Sequence, residues 1–237
     1  MTRGIVALGL ALLLAQAVFW LVPGLDLATA QLFYDGTSFP IADNRGVEAL
    51  RITLYAAEDF AAVLTLILLI TSLRYGAILN LTPRDWAYQL ALFVLGPGVL
   101  VNLILKRQWG RARPFRITEF GGSAQFSAPW QISDQCSANC SFVSGEMAGA
   151  TALAICLLLI LHANRRRIST TSLRLGQIAA LSMPAITGWQ RMAAGKHFLS
   201  DVVFAFLLIC LLATILRLLF YPAKALASAV DIPRDSP

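Results

Sequence analysis

The chain has 237 residues, of which 57% are hydrophobic and 14% charged, with a net charge of +6 and a mean hydropathy of +0.68. A soluble domain carries about 25% charged residues, so this composition excludes an ordinary water-soluble globule and indicates a chain built mostly of membrane spans. The basic residues gather at the ends of apolar runs. That placement suits anionic head groups or an anionic substrate and argues against nucleic acid as a partner.

Six apolar runs, at 5–23, 53–73, 87–105, 144–162, 175–194 and 198–219, predict an all-α polytopic membrane protein. The expected architecture is a bundle of six transmembrane helices forming a single domain over residues 1–237. No internal repeat is visible, which argues against a transporter built from paired halves. The first run follows Arg3 and precedes Ala28-Thr29-Ala30, a pattern shared with cleaved signal peptides. Its length and the intervening Pro23-Gly24 favour a retained span.

Between the first two runs, residues Asp26 to Tyr34 place apolar side chains at helical spacing and predict a short helix lying in the membrane interface. Trp20, Trp86, Trp130 and Tyr221 suit interfacial belts. Glu58 and Asp59 interrupt the second run. They read as a polar patch facing the bundle, paired with Arg51 or with the cluster at Lys106; the alternative is a wall of a substrate pocket. The loops holding Arg74 and Arg84, and Arg165-Arg166-Arg167 with Arg174, are cytoplasmic by the positive-inside rule. Both termini are then inside, and the loops at 24–52 and 106–143 and the turn near 195 face outward. The second outward loop is basic against that rule, an exception that a function for its cations explains. Cys136 and Cys140 flank a short polar turn in this loop, a spacing suited to a small disulfide on an oxidising side. Two thiols without nearby histidines do not complete a zinc site. Cys156 and Cys210 lie within apolar runs as packing residues.

Three short stretches at the ends of these runs carry chemistry. Lys106 to Pro114 includes Gly110, Arg111 and Arg113, a shaped loop able to aim several cations at one point, with arginine supplying a bidentate fork for phosphate oxygens. Ser144-Gly145-Glu146 opens the fourth run as a helix N-terminus, whose free N–H groups attract an anion. Arg191, His197 and Asp201 open the sixth. On a helix, His197 and Asp201 share a face, and a carboxylate there holds one imidazole nitrogen protonated and frees the other to attack. Together these groups can hold a phosphate and attack it. In a chain that is mostly membrane, that phosphate belongs to a lipid. The other histidine, His162, lies beside the cytoplasmic arginines. The outward site holds no carboxylate cluster suited to magnesium, so neither a metal nor another cofactor is expected.

These motifs resemble those of the type 2 phosphatidic acid phosphatase superfamily, in its bacterial membrane branch. The family shows a lysine, six residues, then Arg-Pro; then Pro-Ser-Gly-His; then Ser-Arg, five residues, His, three residues, Asp. Lys106, Arg113 and Pro114 match the first motif. Arg191, His197 and Asp201 match the third, with Gln190 in place of its serine. In the second, Val143 replaces proline and Glu146 stands where the family has histidine. The resemblance implies a six-helix bundle and metal-free phosphoester hydrolysis. In it, His197 would form a phosphohistidine and Asp201 would orient it. Lys106, Arg113, Arg191, Ser144 and the Gly145 N–H would hold the phosphoryl oxygens, and Glu146 would occupy the place of the proton donor. The Ser-Gly-Glu variant and the arginine-rich first motif look most like lipid A phosphatases. Undecaprenyl pyrophosphate and phosphatidylglycerol phosphate phosphatases are the alternatives within the class. A non-catalytic phospholipid-binding protein or a transporter of phosphorylated lipid is the alternative outside it. The implied location is the bacterial inner membrane, with the site facing the periplasm.

Overall fold

A computed structural model describes residues 2–222. Met1 and residues 223–237, which the expected single domain includes, lie outside the described residues. The helices are α1 (Thr2–Leu21), the short α2 (Leu25–Gln31), α3 (Arg45–Tyr75), α4 (Pro83–Gln108), α5 (Gly145–Asn164), α6 (Thr170–Ala193) and α7 (Leu199–Phe220). Among them α1, α3, α4, α5 and α7 are long and apolar enough to cross a membrane. Helix α6 has 24 residues, a sufficient length, but Arg174, Gln177, Gln190 and Arg191 dilute its apolar character. The short helix predicted after the first run forms as α2, ending at Gln31. The third apolar run continues as helix through Gln108, so Lys106 projects from a helix end and not from a loop.

Local chemistry sets the helix starts. Asn44 caps α3, accepting from the Gly46 and Val47 N–H groups at 3.0 and 3.1 Å. Thr82 and Asp85 form a reciprocal capping box around Pro83 at α4, which satisfies donors that the first turn leaves free. Within α4, Gly96-Pro97-Gly98 interrupts the regular ladder because proline has no N–H to give. The chain runs as a π-helix from Val94 to Leu105, the wider turn such interruptions favour.

Helix α5 occupies the centre, packed on α3, α4, α6 and α7. Its small residues Ala148, Gly149, Ala150 and Ala152 are buried and let neighbouring backbones approach closely, as small residues do between membrane helices. Side chains such as Leu10, Leu13, Phe60, Ile67 and Leu73 are exposed on the outside of α1 and α3, as lipid-facing positions require. Trp86 departs from its expected belt position: it is 1% exposed, because the amphipathic start of α4 turns it inward. Trp130 packs edge-on against Phe204 at 5.2 Å.

Candidate active site

The ends of α4 and α6 and the starts of α3, α5 and α7 meet at one end of the bundle. The turn from α6 to α7 is tight. Gly195 has φ +64°, and a Cβ there would lie 2.5 Å from the Phe39 ring, so the position requires glycine on both counts. The N–H groups of Lys196 and His197 donate to the Arg191 carbonyl at 3.0 and 3.2 Å. The arginine and histidine of the third motif are therefore fixed by one shared acceptor.

A cavity of about 840 Å³ opens at this end, and Lys106, Arg113, Gly145, Glu146, Arg191 and His197 all line it. Residues from three motifs, up to 91 positions apart from Lys106 to His197, thus share one wall. Asp201 and Ser144 stand behind it. Ser144 is fully buried and caps α5. Its hydroxyl accepts from the Met147 N–H at 3.3 Å, while its own N–H donates to the Asp201 carbonyl at 3.2 Å. It joins the start of α5 to the start of α7.

His197 precedes the N-cap of α7, so the helical face expected to join it to Asp201 is absent. Its Nδ1 lies 3.6 Å from Asp201 Oδ2, beyond hydrogen-bond length and within coulombic reach. Contacts of this kind are often long before substrate loads. The carboxylate itself is held by others. Oδ2 accepts from the Phe198 N–H at 2.8 Å and from the Ser141 hydroxyl at 2.5 Å, and Oδ1 accepts from Arg111 Nη1 at 2.7 Å.

Burial pushes the His197 imidazole down to about 4; Asp201 opposes this, while Lys106 and Arg113 add to it. A lowered value keeps the ring neutral and nucleophilic at neutral pH, and protonation removes the attacking lone pair. Phosphatase activity is therefore expected to be full through pH 6.5 and to fall only in more acid solution. The measurement is kcat/KM from pH 4 to 8 in detergent. An acid limb at the ordinary imidazole value would show that His197 is not desolvated.

Sequence reading missed the buried support of this site. Arg111 is 0% exposed. It donates to Asp26 Oδ2, Asp201 Oδ1 and the Ser200 hydroxyl, each at 2.7 Å, and to the Ser127 carbonyl at 2.8 Å. Its guanidinium lies 4.4 Å over the Phe198 ring, a favourable cation–π approach. Asp26 in turn accepts from the Ser200 N–H and hydroxyl at 2.8 and 2.5 Å. Helix α2 is thereby fastened to the start of α7.

The cations are also organised by partners. Arg113 donates from Nε and Nη2 to the carbonyl and side-chain oxygens of Asn139 at 3.1 and 2.8 Å, and Lys106 Nζ reaches the same side chain at 3.4 Å. Asn139 sits inside the loop closed by the Cys136–Cys140 disulfide. Two of the four cysteines are expected to resist alkylation until reductant is added, as intact-mass measurement would read. Four freely alkylated thiols in protein from an oxidising compartment would overturn this pairing. Burial, then Arg191, pushes the Arg113 guanidinium below its ordinary value, which reflects crowded positive charge awaiting an anion. Glu146 is bracketed by arginines. Arg191 Nη1 donates to Oε1 at 2.7 Å, and Arg51 Nε donates to both oxygens at 3.1 and 3.2 Å. Arg51 is therefore not paired with Glu58 or Asp59. Both acids instead line the cavity.

A sequence model of the PAP2 superfamily matches residues 86–225. The chain belongs to the PAP2 superfamily. This PAP2 protein is 34% identical over 207 residues to a lipid A 4'-phosphatase of Rhizobium leguminosarum, covering 81% of this chain and 85% of the relative. It is 29% identical over 231 residues to a lipid A 4'-phosphatase of Francisella tularensis subsp. novicida, covering 94% and 99%. Its fold is similar to the crystal structure of a transmembrane PAP2-type phosphatidylglycerolphosphate phosphatase from Bacillus subtilis, with a TM-score of 0.58 at 20% identity over 98% of both chains. This PAP2 protein is a multi-pass membrane phosphatase.

Proposed function

We propose that this chain is a lipid A phosphatase that removes a phosphate monoester at the periplasmic face of the bacterial inner membrane. The observation that carries this reading is the shared cavity uniting the three PAP2 motifs in a chain 34% identical to a lipid A 4'-phosphatase. His197 attacks phosphorus through Nε2, because Nδ1 faces Asp201. An N–P bond forms as the P–O bond to the lipid breaks, and the leaving oxygen takes its proton from solvent water as it departs. Water then cleaves the phosphohistidine and releases phosphate. Asp201 orients the ring and stabilises its charge. Lys106, Arg113, Arg191 and the Gly145 N–H hold the phosphoryl oxygens, with Ser144 setting the helix start that presents that N–H.

Glu146 anchors Arg51 and Arg191, since its oxygens accept from both guanidiniums. Glu146→Gln is expected to lower the rate by about tenfold, in keeping with the loss of a charge-assisted contact. The loss should be equal on a lipid monophosphate and a lipid pyrophosphate from pH 5 to 9. A loss confined to the monophosphate, with its poorer leaving group, would identify a proton donor instead.

The reading includes one domain, six spans and both termini in the cytoplasm. The Asn80 side chain donates to Asn164 at 2.7 Å, which brings together the two loops rich in arginine at the end opposite the cavity. The positive-inside rule assigns that end to the cytoplasm. The deciding assay is phosphate release by the purified protein in detergent from lipid A, phosphatidylglycerol phosphate and undecaprenyl pyrophosphate. Release from lipid A is the expected result. Release only from either of the others would reassign the substrate.

A further inference from the structure

Helix α5 carries two glycines one turn apart, and each receives a charged side chain from a neighbouring helix. A Cβ on Gly145 would lie 3.2 Å from Lys106 Nζ, and a Cβ on Gly149 would lie 2.0 Å from Glu58 Oε2. One helical turn rises about 5.4 Å. The Glu58 carboxyl therefore lies about one turn deeper along α5 than the Lys106 ammonium.

Glu58 is 7% exposed and faces the cavity. Among the described residues, no hydrogen bond or ion pair engages its carboxyl. Arg51, two turns along the same helix, is committed to Glu48 and Glu146. Buried polar groups are almost always hydrogen-bonded, and an exception calls for an explanation. Asp59 lines the same wall. The cavity wall thus carries cations at Lys106, Arg113 and Arg191 and, one turn below Lys106, the Glu58 carboxyl.

We propose that Glu58, with Asp59, forms a subsite that accepts hydrogen bonds from hydroxyl or amide N–H groups beside the phosphate. This selects an acylated hexosamine as the leaving group over the plain ester of a diacylglycerol or a polyprenol. The inference rests on the lipid phosphatase reading above and names the part of the cavity that reads the substrate. An ester without donors leaves the buried Glu58 carboxyl unpaired, and sites built to hydrogen-bond a substrate discriminate strongly for that reason. A sugar ring brings donors to the wall that lacks them.

The test measures kcat/KM for lipid A, phosphatidylglycerol phosphate and phosphatidic acid with the wild-type protein, Glu58→Leu and Glu58→Gln, all in detergent. The readout is the ratio of lipid A to phosphatidic acid. Glu58→Leu is expected to collapse that ratio by about tenfold or more, the scale of a buried donor left unsatisfied, and Glu58→Gln, which keeps an acceptor, by far less. Phosphatidylglycerol phosphate, whose glycerol carries one hydroxyl beside the phosphate, separates a general need for a hydroxyl from recognition of the hexosamine. If it follows lipid A through the whole series, selection for the sugar is overturned. If Glu58→Leu is too unstable to assay, the same ratio in Glu58→Ala and Asp59→Ala, which also remove the acceptor, decides. A ratio that stays at the wild-type value in every active variant overturns the subsite. A wild-type protein that cleaves phosphatidic acid but not lipid A instead overturns the lipid A reading itself.

Discussion

His197→Ala is expected to remove nearly all phosphate release, a loss of about 10⁴-fold or more by comparison with other covalent nucleophiles. The ring is the imidazole of the cavity, is 3% exposed and stands against a carboxylate fixed from three directions. Alanine leaves Asp201 with its Phe198, Ser141 and Arg111 partners intact, so the variant should fold and keep its thermal transition. The check is to measure lipid A turnover and the thermal transition together. A second readout is a covalent phosphoenzyme trapped by acid-avoiding quench from the wild-type protein and absent from the variant. Turnover near the wild-type rate in His197→Ala would reject the proposed mechanism.

Arg111→Met is expected to damage both stability and rate. The guanidinium is fully buried and is shared by Asp26 and Asp201, themselves 1% and 0% exposed. Removing one partner of a buried ion pair leaves uncompensated charge and costs about 3–5 kcal/mol. Here two carboxylates lose their common counter-charge. The thermal transition in detergent should fall by several degrees, and kcat by about 10²-fold as Asp201 loses its fixed position behind His197. Asp26→Asn in the Arg111→Met background should recover part of the stability, because it removes one of the stranded charges, and little of the rate. Wild-type stability and rate in Arg111→Met would show that this network supports neither fold nor site. The same coupling gives α2 a structural role. Through Asp26, the short α2 steadies the start of the helix that carries Asp201.

The first and third motifs were legible in the sequence because spacing alone put Lys106, Arg113, Arg191 and His197 at the ends of apolar runs, and helix ends in a bundle must lie at one face or the other. Arg111 was not. It sits among Arg107, Arg113 and Arg116, and nothing local distinguishes a guanidinium that will be entombed from those that meet solvent. Asp26 and Asp201, 175 positions apart, become neighbours only when α2 docks on α7. Glu58 and Asp59 were visible as acids in an apolar run, but their pairing was misread, since Arg51 turns toward Glu48 and Glu146 and leaves them facing the cavity.

Composition and periodicity by themselves determined that the chain is a helical membrane protein, because the bilayer forces backbone hydrogen bonds inside each apolar segment and so ties span to sequence locally. Helix starts at Asn44, Thr82 and Ser144 follow the same local logic. Tertiary structure alone decided which charges meet. The partners of Arg111, Glu146 and Glu58 come from other helices, and the energy of a buried charge depends on what surrounds it in space. It also decided that His197 stands ahead of its helix, because the left-handed turn at Gly195 and the shared Arg191 carbonyl fix the chain before α7 begins.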